Sequence, residues 1–479
     1  MSGKAERMMI GATIRRRIST LIAMLTAAMM VVGLAACDDD PRTRLVVWSW
    51  EPSMPAVVER FEKANPDIRV ELRNVSGYAD LNSAIQDGYG LPDVVQIEYF
   101  ALPQYAVSDQ LLDVTDRVKG YDDFYTPGTW SSVQLAGRIY GLPMDSGPMA
   151  FFYNKDVFDQ AGVDAAAIRS WDDYYAAARK LKDYGVYMAA DAGDASFYNA
   201  MIWLAGGRPF HTTKDGKSVT IDLTGDAGTR RFTAFWQRMI DEGLVDTSSV
   251  TWSDQWKSQL AKGEVASVFA GAWMPSLLLA DVPEGAGSWR VATMPTPDGS
   301  ETNAENGGSA MAVLRSTRKP EAATRFMDFV CHDAQGIRER VDGGAFPADK
   351  NTLDDRDFLD KSAIYDAEGY PVSYFGGQQF NKVLSDAAED VSVGYQYLPF
   401  EVYARSDFKN GMGDAYKWAR SKLDFDAALM RDFDARLLGT ASGNGGPVEP
   451  GKRITLSDGI AAWQRDLKEY GHNQGFDMH

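Results

Sequence analysis

Val46-Val47-Trp48-Ser49-Trp50-Glu51 reads VVWSWE, an apolar run that ends in two tryptophans one residue apart and then a carboxylate. In an extended strand successive side chains point to opposite faces, so Trp48 and Trp50 share one. Two readings are open. The pair is packed core, or it is an aromatic platform with a hydrogen-bonding acid beside it, as a sugar ring would require. The flanks settle the type of unit. Residues 45–50 read as a strand, and residues 53–64 carry Met54, Val57, Val58 and Phe61 on one helical face. Asn65-Pro66 stops that helix. Residues 68–72 (IRVEL) alternate like a strand, and Leu91-Pro92 turns into a further strand over 93–97. Strand, helix, strand, helix is the signature of an α/β fold.

Further along, a Gly- and Pro-rich turn over 137–148 feeds the aromatic strand MAFFYN at 149–154. Ser170 is a plausible N-cap for a helix over 171–181. Residues 228–240 form a strongly amphipathic helix. Residues 266–269 read as a short buried strand running into Gly271-Ala272-Trp273. Residues 294–308 are loop-like, 440–451 (TASGNGGPVEPG) form a linker, and a last helix runs over 457–470. There is no internal repeat.

The N-terminus stands apart from the fold. Lys4, Arg7 and Arg15 to Arg17 precede a fourteen-residue apolar stretch, 21–34, too short for a membrane span. Small residues and then Cys37 follow, the layout of a secretory signal peptide. Leu34-Ala35-Ala36-Cys37 resembles a bacterial lipobox, in which the cysteine is lipidated; the alternative is an ordinary signal peptide that contains a cysteine. Cys331 then has no partner for a disulfide, and its helix-like surroundings mark it as a buried apolar residue. The remaining chain, about 440 residues, calls for two or more lobes. The formal net charge is -18, and without the five bases and one acid of the leader it is about -22. That disfavours nucleic acid and argues weakly against anionic ligands.

Several chemistries lack support. Histidines 211, 332, 472 and 479 show no metal-ligand spacing, and no Gly-x-Ser-x-Gly elbow is present. Gly446 to Lys452 fits the first seven positions of a P-loop, but Arg453 stands where Ser or Thr should hold magnesium. Pro447 and Pro450 also remove backbone N–H groups that would cradle phosphate. No local pattern singles out a carboxylate pair for glycoside hydrolysis among 67 acids. No metal, cofactor or catalytic residue is expected.

Taken in order, these blocks resemble the extracellular solute-binding proteins of ABC importers, in the sugar and oligosaccharide branch that includes maltose-binding protein. The resemblance runs over nearly all of 44–479. It rests on the lipobox, VVWSWE with Phe61-Glu62, and Leu91 to Val95. It continues through Tyr140 to Pro143 with Tyr153 to Phe158 and Ala161-Gly162. Gly263 to Phe269 with Gly271 to Met274, Asn306 to Ser309, and the ending Tyr470 to Phe476 complete it. The family implies two α/β lobes, about three hinge crossings, ligand in the cleft and closure on binding. The implied division is a signal peptide over 1–36, a tether over 37–44, an N-lobe of 45–145 plus 304–345, and a C-lobe of 146–303 plus 346–440. A linker over 441–452 and a C-terminal helix over 453–479, packing on the lobes, follow.

The resemblance also implies site residues. Trp48 or Trp50, with Glu51, would meet ligand at the end of the first strand. Tyr78 and Asp80 follow the second strand, and Glu98 and Tyr99 end the third, where open α/β sheets bind ligand. Asp145 and Ser146 sit at the first crossing, Asp145 being the leading acid. Phe197, Tyr198 and Trp203 lie around one helix, with core the stronger reading for Trp203. Trp273 is the expected stacking platform. Asn306, Gly308 and Phe346 edge the other crossings, and Tyr374 and Phe375 the C-lobe rim. The implied protein is a monomer, lipid-anchored on the outer surface of the cell membrane. It hands an oligosaccharide to ABC permease subunits and performs no chemistry. Polyol, glycerol phosphate or polyamine binding is the alternative within the fold. A secreted glycan hydrolase or lyase is the alternative of another class.

Overall fold

A computed structural model describes residues 40–75, 77–214, 216–438 and 447–479. Cys37, the leader and part of the 441–452 linker lie outside the described residues. In chain order the first unit comprises β1 (Thr43–Ser49), α1 (Met54–Ala64), β2 (Ile68–Asn74), α2 (Ala79–Asp87), β3 (Val94–Glu98) and β4 (Leu142–Pro143). The second comprises β5 (Met149–Asn154), α3 (Trp171–Asp183), α4 (Ala195–Leu204), α5 (Ala227–Asp241), β6 (Ser267–Gly271), α6 (Met274–Asp281) and β7 (Trp289–Ala292). The chain returns to the first sheet with β8 (Ser309–Val313), α7 (Pro320–Cys331) and α8 (Ala334–Asp342). It then passes through α9 (Phe380–Glu389), α10 (Glu401–Leu437) and α11 (Leu456–Asn473).

The first sheet has the order β2-β1-β3-β8-β4, with β1 parallel to β2 and β3, and β8 antiparallel to β3 and β4. Both faces are covered. Leu45 and Val47 pack on one side with Phe61 of α1 and Phe326 of α7; Trp48 points to the other with Val95, Ile97 and Leu81. β8 divides in the same way: Met311 and Val313 join the first layer, Ala310 and Ala312 the second. A sheet buried on both faces explains the near-continuous apolar run that precedes Ser49. Cys331 closes α7 inside this core, and burial pushes its thiol up to about 12. The second sheet is antiparallel, β6-β5-β7, with Phe151 on one face and Ala150 and Phe152 on the other. The result is a two-lobed α/β molecule whose chain crosses between sheets after β4, before β8 and after α8.

Ser170 and Asp173 form a reciprocal capping box at the start of α3, and Thr455 and Asp458 do so at α11. The longest element, the 37 residues of α10, has no counterpart in the sequence reading. It packs on α11 at Gly411, where an added Cβ would lie 2.7 Å from the Trp463 Cα. Trp463 in turn donates its indole N–H to the Ala404 carbonyl at 3.1 Å. Gly411→Ala is therefore expected to lower stability by about 1–3 kcal/mol, because the helices must part. This occurs although alanine is the better helix former by about 1 kcal/mol. Urea unfolding checks it; an unchanged midpoint would refute the close crossing.

Candidate functional site

A cavity of about 560 Å³ lies between the lobes, at the ends of β1, β3 and β6 and against the crossings. Its N-lobe side is built by one buried amide. Gln96 Oε1 accepts from the Ser49 hydroxyl (2.6 Å) and from the backbone N–H groups of Trp50 (3.1 Å) and Glu51 (3.2 Å). Gln96 Nε2 donates to Ser309 Oγ at 2.9 Å. Ser309 then donates its hydroxyl and its N–H to Asp145, at 2.7 and 2.5 Å. This chain ties the first strand end to the first crossing and turns Trp50 and Glu51 toward the cavity. Glu51 also accepts from the Ser53 hydroxyl at 2.9 Å.

The C-lobe side is aromatic. Trp273 follows β6 and donates its indole N–H to the Asn306 carbonyl at 2.6 Å, across to the second crossing. Gly307 has φ +103, and a Cβ there would lie 2.6 Å from the Trp273 indole nitrogen, so glycine makes room for the ring. Trp252 lies 5.8 Å from Trp273 and 5.1 Å from Trp256 between ring centroids. Trp252 has φ 71, a left-handed backbone that a bulky side chain rarely adopts. It is 40% exposed, so the strain holds an indole partly open to the cavity.

The crossings are held by two buried carboxyls. Glu305 accepts from the Ser146 hydroxyl (2.9 Å) and the Gly147 N–H (2.6 Å). Asn306 N–H donates to the Gly147 carbonyl (2.8 Å), and Ser146 N–H to the Phe346 carbonyl (3.4 Å). Burial, with the Asp145 charge nearby, pushes Glu305 up to about 7. Burial, with the Glu51 charge nearby, pushes Asp145 up to about 7. Glu98 is raised by burial, while it accepts from the Tyr78 hydroxyl and feels the Arg405 cation. Arg405 reaches from α10 over the Phe100 ring, 3.8 Å from its centroid, and so spans the lobes.

Ten residues expected from sequence line this cavity: Trp50, Glu51, Glu98, Asp145, Ser146, Phe197, Trp273, Asn306, Gly308 and Phe346. Eight do not. Trp48 is buried in the N-lobe core, because Trp50 has left the strand and only Trp48 keeps the inward register. Tyr78 stands behind Glu98, and Asp80 is an exposed residue of α2. Tyr99 is buried beneath the crossing and donates to the Asp145 carbonyl at 2.7 Å. Tyr198 is buried against Thr233 at 2.8 Å. Trp203 is core, stacked on Tyr395 and bonded to the Ser392 carbonyl. Tyr374 donates to the Val282 carbonyl, and Phe375 packs on Phe380; both are fully buried in the C-lobe. Asp145, though at the cavity, has both oxygens engaged by Ser309.

Sequence reasoning missed Trp252, Trp256, Trp236, Asp191 and Arg405, which also line the cavity. Trp252 and Trp256 carry a visible signal, since Val250-Thr251-Trp252-Ser253-Asp254-Gln255-Trp256 is aromatic-rich next to a Ser N-cap. Arg405 carries none: a lone arginine in a helix is ordinary until α10 brings it to Phe100. Among the described residues no group of three or more His, Cys, Asp or Glu is placed to hold a metal, and no helix is long and apolar enough to cross a membrane.

Residues 48–336 match the bacterial extracellular solute-binding protein family, and the chain belongs to it. A solved structure, the ABC transporter associated binding protein from B. animalis subsp. lactis Bl-04 in complex with β-1,6-galactobiose, is 46% identical in sequence. The two align over 91% of this chain and 99% of that one, with a TM-score of 0.74. A lactose-binding protein of Rhizobium radiobacter is 25% identical over 64% of this chain and 74% of its own. A maltooligosaccharide ABC transporter solute-binding lipoprotein of Streptococcus pneumoniae is 25% identical over 57% of this chain and 64% of its own.

Proposed function

We propose that this protein captures a β-galactosyl di- or oligosaccharide between its lobes and delivers it to an ABC transporter, without acting chemically on it. The carrying observation is the 46% identity, across 91% of the chain, to a binding protein that holds β-1,6-galactobiose. Lactose, named for a more distant relative, is also a β-galactoside. The cavity chemistry fits. Trp273, Trp252 and Trp50 offer apolar faces for pyranose C–H groups, and Glu51 and Asn306 offer polar atoms for hydroxyls. A polyamine would need several free carboxylates. Glu98 is capped by Tyr78 and faces Arg405, and Asp145 is spent on Ser309. Asp191 accepts from Trp236, Tyr416 and the Gly193 and Asp194 N–H groups, and Asp194 caps α4, so of the five cavity acids Glu51 is the one least engaged.

In this reading residues 45–145 with 304–345, and 146–303 with 346–440, are the two lobes that close on ligand. The protein works as a monomer held at the outer membrane surface by lipid on Cys37; the lipobox-like sequence and the lipoprotein relative support the anchor. Thermal shift with β-1,6-galactobiose, lactose, maltose, glycerol phosphate and putrescine tests it. A ligand at 100 times its Kd adds about 2.7 kcal/mol. Galactosides are expected to raise Tm and to be recovered intact. A shift only with glycerol phosphate or putrescine, or cleavage of any glycan, would overturn the reading.

A further inference from the structure

A second cavity, of about 330 Å³, adjoins the first along the Gly343–Gly344 segment. The two share five lining residues, Ser276 and the run 343–346. Both volumes fall in or near the range of small-molecule sites. The shared border includes Ala345 and Phe346 as well as the two glycines. Gly343 and Gly344 are exposed and carry no side chains, and Ser276 on α6 joins them on that border. Glycine is required at both positions. A Cβ on Gly343 would lie 2.6 Å from Ser53 Cβ. Gly344 has φ +98, where a side chain is strained, and a Cβ there would lie 3.5 Å from Ser276 Oγ.

The second cavity repeats the chemistry of the first. Tyr365, 60% exposed on a hairpin paired with Pro371–Val372, offers a ring at its wall. Lys361 and Asp342, 3.7 Å apart, offer a donor and an acceptor for hydroxyls. A ring face beside a charged hydrogen-bonding pair suits a sugar better than an apolar or anionic ligand. Such a site beside the main cavity, with two glycines in the border they share, is placed to continue one ligand rather than to bind a second.

We propose that the second cavity is an extension subsite for the third and later rings of an oligosaccharide whose first two rings fill the main cavity. This rests on the galactoside reading above. A disaccharide does not reach it; a longer chain does, and gains affinity because its extra rings are already tethered.

Calorimetric titration with β-1,6-galactobiose, galactotriose and galactotetraose tests this. The unmodified protein is expected to bind the tri- or tetrasaccharide about tenfold more tightly than the disaccharide, the scale of one aromatic contact. Tyr365→Ala with Lys361→Ala is expected to abolish that preference while galactobiose binding stays within about twofold. Ser276→Trp, which puts an indole on the border the cavities share, should abolish it as well; because Ser276 also lines the main cavity, this variant is read by the ratio of affinities and not by galactobiose binding itself. Affinity independent of length, a preference that survives both variants, or equal losses at every length in the Tyr365→Ala, Lys361→Ala protein would each overturn the subsite. No binding of any length would overturn the galactoside reading, and the subsite with it; galactobiose binding without the length effect overturns the subsite alone.

Discussion

Trp273→Ala is expected to weaken binding of the proposed galactoside ligand by roughly 30- to 150-fold, or about 2–3 kcal/mol. The indole sits where β6 ends, with Gly271 on its own turn and Gly307 opposite leaving space for it, and its N–H is fixed to the Asn306 carbonyl at 2.6 Å. It is therefore held in place before ligand arrives, and little side-chain entropy is lost on stacking. Truncation removes the apolar platform proposed for a sugar ring and also the bond to the Asn306 carbonyl. Trp273→Phe separates the two parts. It keeps most of the platform and loses the bond, so its loss should be about fivefold to tenfold. Calorimetry with β-1,6-galactobiose measures both. An alanine variant within threefold of the unmodified protein would remove Trp273 from the ligand.

How much of this was legible differs by residue. VVWSWE announced a strand end, because an apolar run and an abrupt change to Glu51 are local signals; that this end lies at a cleft came from the family resemblance. It left open which tryptophan faced the cavity. That depends on where the strand stops, and Gln96, a residue on another strand, stops it by binding the N–H groups of Trp50 and Glu51. The place of Trp273 after a buried strand and a Gly-Ala turn was visible in one short run, and its expected role came from the family resemblance; the structure puts the ring at the cavity. Tyr198, Tyr374 and Phe375 were misplaced for a common reason. Aromatic residues near a turn look alike in sequence whether they meet a ligand or, as here, the interior: Tyr198 bonds Thr233, Tyr374 the Val282 carbonyl, and Phe375 packs on Phe380. Arg405 lies more than 300 positions from Phe100, and only the packing of α10 brings them together. Asp145 borders the cavity, but its use is set by Ser309, which reaches it by long-range pairing of β8.

Glu305→Gln is expected to stabilise the unliganded protein at pH 8, by up to about 3 kcal/mol, and to have no such benefit below pH 4.5. At about 1.36 kcal/mol per pKa unit, a carboxyl raised from 4.5 to about 7 carries a burden of that size when ionised. The sign follows from proton counting. Between 4.5 and about 7 the folded chain holds a proton at Glu305 that the unfolded chain has released. Stability therefore falls as pH rises through that window, and the loss is complete above it. Glu401, also raised to about 7 by burial, adds the same slope, so the glutamine variant removes only the Glu305 share. Glutamine fits the site. Its carbonyl accepts the Gly147 N–H, and its amide donates to the Ser146 hydroxyl, which borders the cavity and is free to turn its own proton there. Asp145→Asn should gain less, by about 1–2 kcal/mol. Both Asp145 oxygens accept from Ser309, and Ser309 Oγ already accepts from Gln96, so an amide there meets a hydroxyl less able to reverse its role. The double variant should gain less than the two singles together. The charge on Asp145 is one cause of the Glu305 shift, so removing one carboxylate relieves part of the burden on the other. Urea unfolding from pH 4 to pH 8 measures all three proteins. A Glu305→Gln protein that is less stable than the parent at pH 8 would show that the ionised carboxylate, with its bonds to Ser146 and Gly147, holds the crossings more strongly than its burial weakens them.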